Sequence, residues 1–309
     1  MRVLITGIAG FLGSSLAKRL VTLGHEVVGL DVLHRAEAWR LGDLKLTDFL
    51  WQDVGDVRAD QLEGVTHIVH TAASVDVGHS ERSPRHAAYQ SVNGTIAICE
   101  AARRARIPIQ RLILISSYSA YGRVARQPIV ATEPRHPTTV YGAMKASQEA
   151  IALSYFHSHK LPVAVIRSST IFGPYSRTTL PVNLFMTRAM RGEPIMLTGD
   201  GRQTREQNFI SNVIDAILYL LDARSSLDGE VFNIGSCREV SMLDLARTCI
   251  SIAGSESKIE FAGARFGEEG RLALDCSKAR QILGYEPKVH LAEGVRLTHD
   301  WMASRERDR

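Results

Sequence analysis

Thr6-Gly7-Ile8-Ala9-Gly10-Phe11-Leu12-Gly13 decides the fold. The stretch follows a β-branched apolar run, Val3–Thr6, and opens an amphipathic pattern, Phe11–Leu23, so its glycines sit at a strand-to-helix turn. There the first glycine permits the tight turn, the second lets a pyrophosphate approach the backbone, and the third allows close helix–strand packing. The helix start adds free N–H groups and the positive end of its dipole. Asp31 ends the next predicted strand, where a carboxylate accepts hydrogen bonds from adenosine ribose hydroxyls and repels a 2′-phosphate. Together these residues predict a dinucleotide site that favours NAD over NADP, with His34 and Arg35 as the neighbours that would argue for NADP.

Outward from this motif, Glu26–Leu30, His67–His70, Arg111–Ser116 and Val163–Arg167 read as buried strands. Phe11–Leu23, Ala87–Arg104 and Ala143–His159 read as helices between them. The alternation predicts an α/β fold with a doubly wound parallel sheet, covered on both faces because strands such as Leu112-Ile113-Leu114-Ile115 are continuously apolar. After Phe172-Gly173-Pro174 the rhythm loosens and the remaining helices read as shorter. The expected division is a dinucleotide-binding domain over 1–170, to which 206–235 returns through the strand Glu230–Ile234, and a smaller, discontinuous, mostly C-terminal α/β substrate lobe over 171–309. The charged tail Ser304–Arg309 is expected to fray.

The 309 residues are 45% apolar and 23% charged, which is globular composition, and a net charge of +4 is too small to argue for nucleic acid. Cys99, Cys237, Cys249 and Cys276 are far apart, so neither a disulfide framework nor a metal site is expected. His67, His70, His157 and His159 read as structural. With no membrane-length apolar run, and no room for a signal peptide before the glycine motif, the expectation is a cytoplasmic chain without membrane contact.

Ser116-Ser117-Tyr118-Ser119 follows a strand end, where open α/β sheets place ligands. Tyr141 and Lys145 stand at i and i+4 on one helix face. A phenol titrates near ~10, too high for a base at neutral pH, and a lysine ammonium with an oxidised nicotinamide nearby would lower it. A serine hydroxyl, here Ser117, can hold a substrate oxygen for proton transfer.

With these residues in place, the sequence resembles the extended short-chain dehydrogenase/reductases, in the NAD-dependent epimerase/dehydratase family, over nearly its whole length. Asp53-Val54 is similar to the family's adenine-contacting pair and Thr71-Ala72-Ala73 to the strand end that passes the cofactor. Val77-Gly78-His79-Ser80 with Pro84, and Val92-Asn93-Gly94-Thr95, are similar to the stretch that follows in UDP-glucose 4-epimerases. Arg167 to Pro174, Gly199 to Arg205, and Arg265-Phe266-Gly267-Glu268 resemble three later family segments, the last two near the nucleotide in sugar-nucleotide members.

The resemblance implies a Rossmann fold and NAD contacts at Gly7, Gly10, Phe11, Leu12, Gly13, Asp31, Asp53, Val54, Thr71, Ala72, Ala73, Ser116, Tyr141, Lys145, Ser168 and Ser169. It implies catalysis by Ser117, Tyr141 and Lys145, and substrate contacts at Ser117, Thr170, Asn183, Arg205, Arg265 and Glu268, the arginines facing a diphosphate. It further implies a homodimer through the Ala-rich faces at Ala97, Ala101, Ala105, Ala146 and Ala150, faces that could equally pack on the sheet.

Thr170 stands where sugar-nucleotide enzymes usually carry Asn, and Ser168 where proline is frequent. Tyr118-Ser119 stands where 4,6-dehydratases carry an Asp-Glu pair, which disfavours dehydration because no acid would protonate the leaving hydroxyl. Three readings remain open. The first is an isomerase: an NAD-dependent 4-epimerase of a nucleotide diphosphate sugar, with transient hydride transfer to bound NAD through a keto intermediate. The second is a net oxidoreductase of a sugar, sterol-like or other secondary alcohol. The third is a non-catalytic NAD-binding scaffold.

Overall fold

The computed structural model describes residues 1–223, 227–263 and 271–307. Seven strands form the main sheet: β1 (Arg2–Thr6), β2 (Glu26–Asp31), β3 (Asp48–Trp51), β4 (His67–His70), β5 (Arg111–Ser117), β6 (Val163–Ser168) and, much later in the chain, β10 (Val231–Ile234). Their order is β3-β2-β1-β4-β5-β6-β10, and each neighbouring pair is parallel. The expected doubly wound sheet is present. The order reverses direction between β1 and β4, which opens a crevice at their C-terminal ends.

Strand periodicity explains how both faces are covered. Val3, Ile5, Val69, Ile113, Ile115, Ala164 and Ile166 point to one side, where they meet Leu16, Ala17 and Leu20 of α1 (Phe11–Thr22). Leu4, Ile68, Leu112, Leu114, Val163 and Val165 point to the other, against Ile98, Cys99 and Ala102 and against Ala152. With two helical layers to satisfy, the middles of the central strands are apolar on both faces.

Between β4 and β5 run α2 (Val77–Arg82), α3 (Pro84–Ala88) and α4 (Gly94–Arg103); α5 (Val140–His159) follows β5. The single helix expected over Ala87–Arg104 is interrupted by a π-helical turn at Tyr89–Asn93, a feature that often accompanies functional sites. That turn brings Gln90 to the crevice. Strand β3 had no clear sequence signal, being four residues at a half-exposed edge.

Beyond β6 come β7 (Thr170–Phe172), α6 (Pro181–Met190), β8 (Ile195–Thr198), β9 (Thr204–Phe209) and α7 (Ile210–Asp222). After β10 come β11 (Glu239–Ser241), α8 (Met242–Ala253), β12 (Ile259–Ala262), β13 (Arg271–Leu272), α9 (Ser277–Leu283) and α10 (Leu291–Arg307). β9 pairs with β7, β11 and β13, and β8 pairs with β12, in small sheets apart from the main one. Helix α7 lays Val213, Ala216, Ile217 and Leu220 into the core that also holds α1.

Two expectations are corrected here. The C-terminal helices are not uniformly short, since α10 spans 17 residues. Nor does the tail fray from Ser304: α10 continues through Arg307, and Arg305 stacks over Trp39 and Trp301, contacts that local charge could not reveal. Among the described residues, no helix is long and apolar enough to cross a membrane.

Candidate active site

A cleft of about 620 Å³ opens at the C-terminal ends of β1, β4 and β5. One wall is the glycine turn. Gly7 adopts φ +69° and donates its N–H to Leu30 O at 2.8 Å, and a Cβ on it would meet Ala72 Cα at 2.9 Å. A Cβ on Gly13 would lie 2.8 Å from Ile8 Cα, so α1 can start against β1 only because that side chain is missing. No side chain caps α1 at Gly10, which leaves its first-turn N–H groups for a ligand.

Asp31 is buried at the end of β2, its Oδ2 accepting from Ala9 N at 2.9 Å and its Oδ1 from Leu33 N at 3.0 Å. Asp53 Oδ1 accepts from Gly55 N at 2.7 Å, and Thr71 Oγ1 donates to Thr6 O at 2.6 Å. This empty-backed cradle, with a carboxylate at one end and free amides at the middle, suits a dinucleotide. His34 packs edge-on against Trp51, and Arg35 donates to Gly42 O and Leu44 O. Neither of these two lines the cleft.

The opposite wall carries the reactive groups. Thr139 Oγ1 accepts from Gly142 N at 3.0 Å and so starts α5, which places Tyr141 in its first turn and Lys145 one turn on. Lys145 is buried and donates to Ile115 O at 2.9 Å. Burial pulls its ammonium down to about 8, with Glu149 acting the other way. Burial pushes the Tyr141 phenol up to about 12; the Ser117 hydroxyl, which hydrogen-bonds it, and Arg177 pull it back, while Tyr118 pushes it further. In the chain by itself burial outweighs every group that pulls this phenol down. The positive charge of Lys145 is fixed on the carbonyl of Ile115.

Glu149, one further turn along α5, is a residue that sequence reading missed. It is fully buried and accepts from Arg167 Nη2 at 2.7 Å, from Arg135 Nη1 at 3.0 Å and from the Ser116 hydroxyl. Its signal was present: Tyr141, Lys145 and Glu149 repeat at i+4 on one face. Ser117 accepts from Ser119 N at 3.1 Å, which turns the chain at the end of β5. His70 is held by Thr6 Oγ1 at 2.7 Å and Thr95 Oγ1 at 3.1 Å, and burial pulls it down to about 3, so it is a neutral structural group.

Every cofactor residue expected from sequence lines this one cleft: Gly7, Gly10, Phe11, Leu12, Gly13, Asp31, Asp53, Val54, Thr71, Ala72, Ala73, Ser116, Tyr141, Lys145, Ser168 and Ser169. Ser117 and Thr170 line it too. Asn183 does not; it is buried in α6, bonded to Ser176 through both its amide oxygen and nitrogen. Arg205 borders a small cavity behind Ser169 and Thr170 and donates to Thr204 O at 2.7 Å. Arg265 and Glu268 lie outside the described residues. The cleft also recruits Tyr118, from the strand-end stretch, and Arg40, Gln90 and Arg177, which local sequence does not distinguish from ordinary surface side chains.

Comparison with known proteins agrees with this geometry. The model of the NAD dependent epimerase/dehydratase family matches residues 3–235. The chain is 31% identical over 315 residues to a UDP-glucose 4-epimerase of Mycolicibacterium smegmatis, covering 99% of each chain. It is 31% identical over 318 residues to a dTDP-glucose 4,6-dehydratase of Streptomyces niveus, covering 97% of this chain and 92% of that one. The crystal structure of a UDP-glucuronic acid 4-epimerase from Bacillus cereus, with UDP-glucuronic acid and NAD, superposes with a TM-score of 0.91 at 26% identity, covering 98% and 99% of the two chains.

Proposed function

Since the chain belongs to the NAD-dependent epimerase/dehydratase family, we propose that it is an NAD-dependent epimerase of a nucleotide diphosphate sugar, most like a 4-epimerase. The observation that carries this reading is the convergence of Ser117, Tyr141 and Lys145 on the wall of the cleft that faces the glycine cradle. The cradle residues would hold NAD: Gly7 to Gly13 around the pyrophosphate, Asp31 at the adenosine ribose, and Asp53 with Val54 at the adenine. When bound, the oxidised nicotinamide accepts hydride from a carbinol carbon and adds positive charge beside the phenol. Tyr141 then takes the proton of the sugar hydroxyl and later returns it. Ser117 holds the same oxygen in line. Lys145, anchored on Ile115 O, orients the nicotinamide ribose and keeps a cation near the phenol.

Carboxylate placement favours epimerisation over dehydration. Among the described residues, the carboxylates lining the cleft are Asp31 and Asp53, both at the adenosine end. Among the described residues the reactive end offers hydroxyls, an ammonium and Arg177 but no carboxylic acid beside Tyr141 to protonate a leaving hydroxyl. For the sugar nucleotide we propose contacts from Thr170 and Arg177 in the cleft and from Arg205 just behind it. The division into a cofactor unit, 1–170 with 206–235, and a substrate lobe over 171–309 is supported by β10, which extends the main sheet, although β9 stays with the small one.

We also propose a homodimer packed through α4 and α5, where Ile96 and Ala150 are exposed, although Ala97, Ala101 and Ala105 of the expected face pack against the sheet core instead, and a cytoplasmic location, with which four free thiols are compatible. Incubating the purified protein with a panel of nucleotide sugars, resolving epimers and following nicotinamide absorbance tests the central reading. An epimer with no net absorbance change is expected. Accumulating NADH would favour a net oxidoreductase, and no turnover on any sugar would favour a binding scaffold.

A further inference from the structure

Six side chains without a role in the chemistry above form one continuous stack across the rim of the cleft. The Tyr175 ring lies 5.8 Å from Trp39 and 5.0 Å from Trp301. The Lys18 ammonium sits 4.1 Å over Tyr175, and the Arg40 guanidinium 4.5 Å over Trp39. Arg305 caps the other end, 4.7 Å over Trp39 and 5.6 Å over Trp301. The stack joins α1, the segment after β2, the segment after β7 and the last helix, α10.

Two of those segments are walls of the cleft. Arg40 lines it beside Asp31, Val32 and Leu33; Arg177 and Leu180, just past Tyr175, line it from across. A direct bond closes the gap between them, Arg40 Nε donating to Tyr175 O at 3.0 Å. Tyr175 holds φ +70°, a left-handed conformation that a non-glycine residue keeps only when its surroundings impose it, and here two aromatic rings and an ammonium do so.

We propose that this stack is a latch on the cofactor: through Trp301 and Arg305, α10 holds the Arg40 and Tyr175 segments together over the adenosine half of the cleft and slows release of the dinucleotide. The inference rests on the reading of the cleft as an NAD site. A catalyst that returns what its cofactor borrowed gains by keeping that cofactor between turnovers, and slow release supplies this.

The test is the dissociation rate of NAD from the folded chain, with the affinity of ADP-ribose, which lacks the nicotinamide, measured in parallel. Trp301→Ala and Arg40→Gln should each speed NAD release about fivefold or more, as expected for losing ring and cation–π contacts, and Trp301→Phe should restore most of the loss. ADP-ribose should weaken by a similar factor, because the latch acts on the half it retains. Should Trp301→Ala fail to fold, Arg40→Gln and Arg305→Gln carry the test. An unchanged release rate with a lowered melting temperature would overturn the latch and leave the stack as packing alone. Wild-type protein that takes up neither NAD nor ADP-ribose would overturn the cofactor reading, and the latch with it.

Discussion

Replacing Glu149 with Gln probes the ion pair that ties the catalytic helix to the sheet. The Glu149 carboxylate is fully buried and accepts from Arg167 Nε at 3.0 and 3.1 Å and from Nη2 at 2.7 Å. Glutamine keeps the shape but loses the charge, and its amide nitrogen aims a donor at a guanidinium that has only donors. Breaking one side of a buried pair costs about 3–5 kcal/mol, far more than the partly exposed Arg135 arm is worth. For a chain of 309 residues, an unfolding entropy of about 2.1 cal/mol/K per residue makes each kcal/mol worth about 1.5 °C in the melting midpoint, so a fall of about 5–8 °C is expected. Urea unfolding should show the same loss. A Glu149→Met, Arg167→Met double variant should recover most of it, since the only guanidinium then left without its carboxylate is the partly exposed Arg135, which water can reach.

A second signature appears one turn away. The Lys145 ammonium is pulled from 10.5 down to about 8, and Glu149 supports it against burial. Because the folded value lies below the unfolded one, the unfolded chain binds more protons between pH 8 and 10.5. Burying the ammonium therefore costs stability below pH 8, and the cost is relieved as pH rises through that window. Without Glu149 the ammonium gives up its proton at lower pH, so the alkaline limb of the activity profile should shift down. A stability loss under about 1 kcal/mol together with an unmoved alkaline limb would refute the reasoning.

Tyr141→Phe removes the hydroxyl proposed to take the proton while keeping the ring; turnover should fall by about 10²–10⁴-fold with little change in NAD affinity, as separate kinetic and binding measurements would show. Gly13→Ala puts a methyl 2.8 Å from Ile8 Cα and must push α1 off β1, so NAD affinity should drop on titration; equal affinity would mean the turn does not hold the pyrophosphate. Glu206 is buried, with Oε2 lacking a partner, and burial raises its carboxyl from 4.5 to about 7. The folded state binds the extra proton between those values, so stability should decline by about 3 kcal/mol as pH rises from 4.5 to 7. Glu206→Gln should flatten that slope in urea titrations run at about pH 5 and about pH 7.5, either side of most of that rise.

The cofactor half of the site was legible because its signals are local. A glycine turn needs its glycines wherever the turn occurs, and Asp31, Thr71 and Ser117 announce themselves by ending apolar strands. For Asn183 the resemblance supplies a residue type but not its neighbours, and only the fold shows that Ser176 bonds both ends of its amide away from the cleft lining. Arg177 and Arg40 were invisible for the opposite reason: nothing near them in the chain marks them, and only the fold turns them toward the cleft.

From the amino-acid pattern by itself came the parallel sheet, both of its covered faces, the dinucleotide turn and the Ser117, Tyr141 and Lys145 constellation, all products of short-range spacing and periodicity. Tertiary structure alone decided where the charges settle. It sent the Lys145 ammonium to the Ile115 carbonyl, buried Glu149 beneath two arginines, and laid Arg305 of α10 over Trp39, from the far end of the chain. The physical reason is that desolvation and ion pairing depend on neighbours far apart in sequence, which no local pattern encodes.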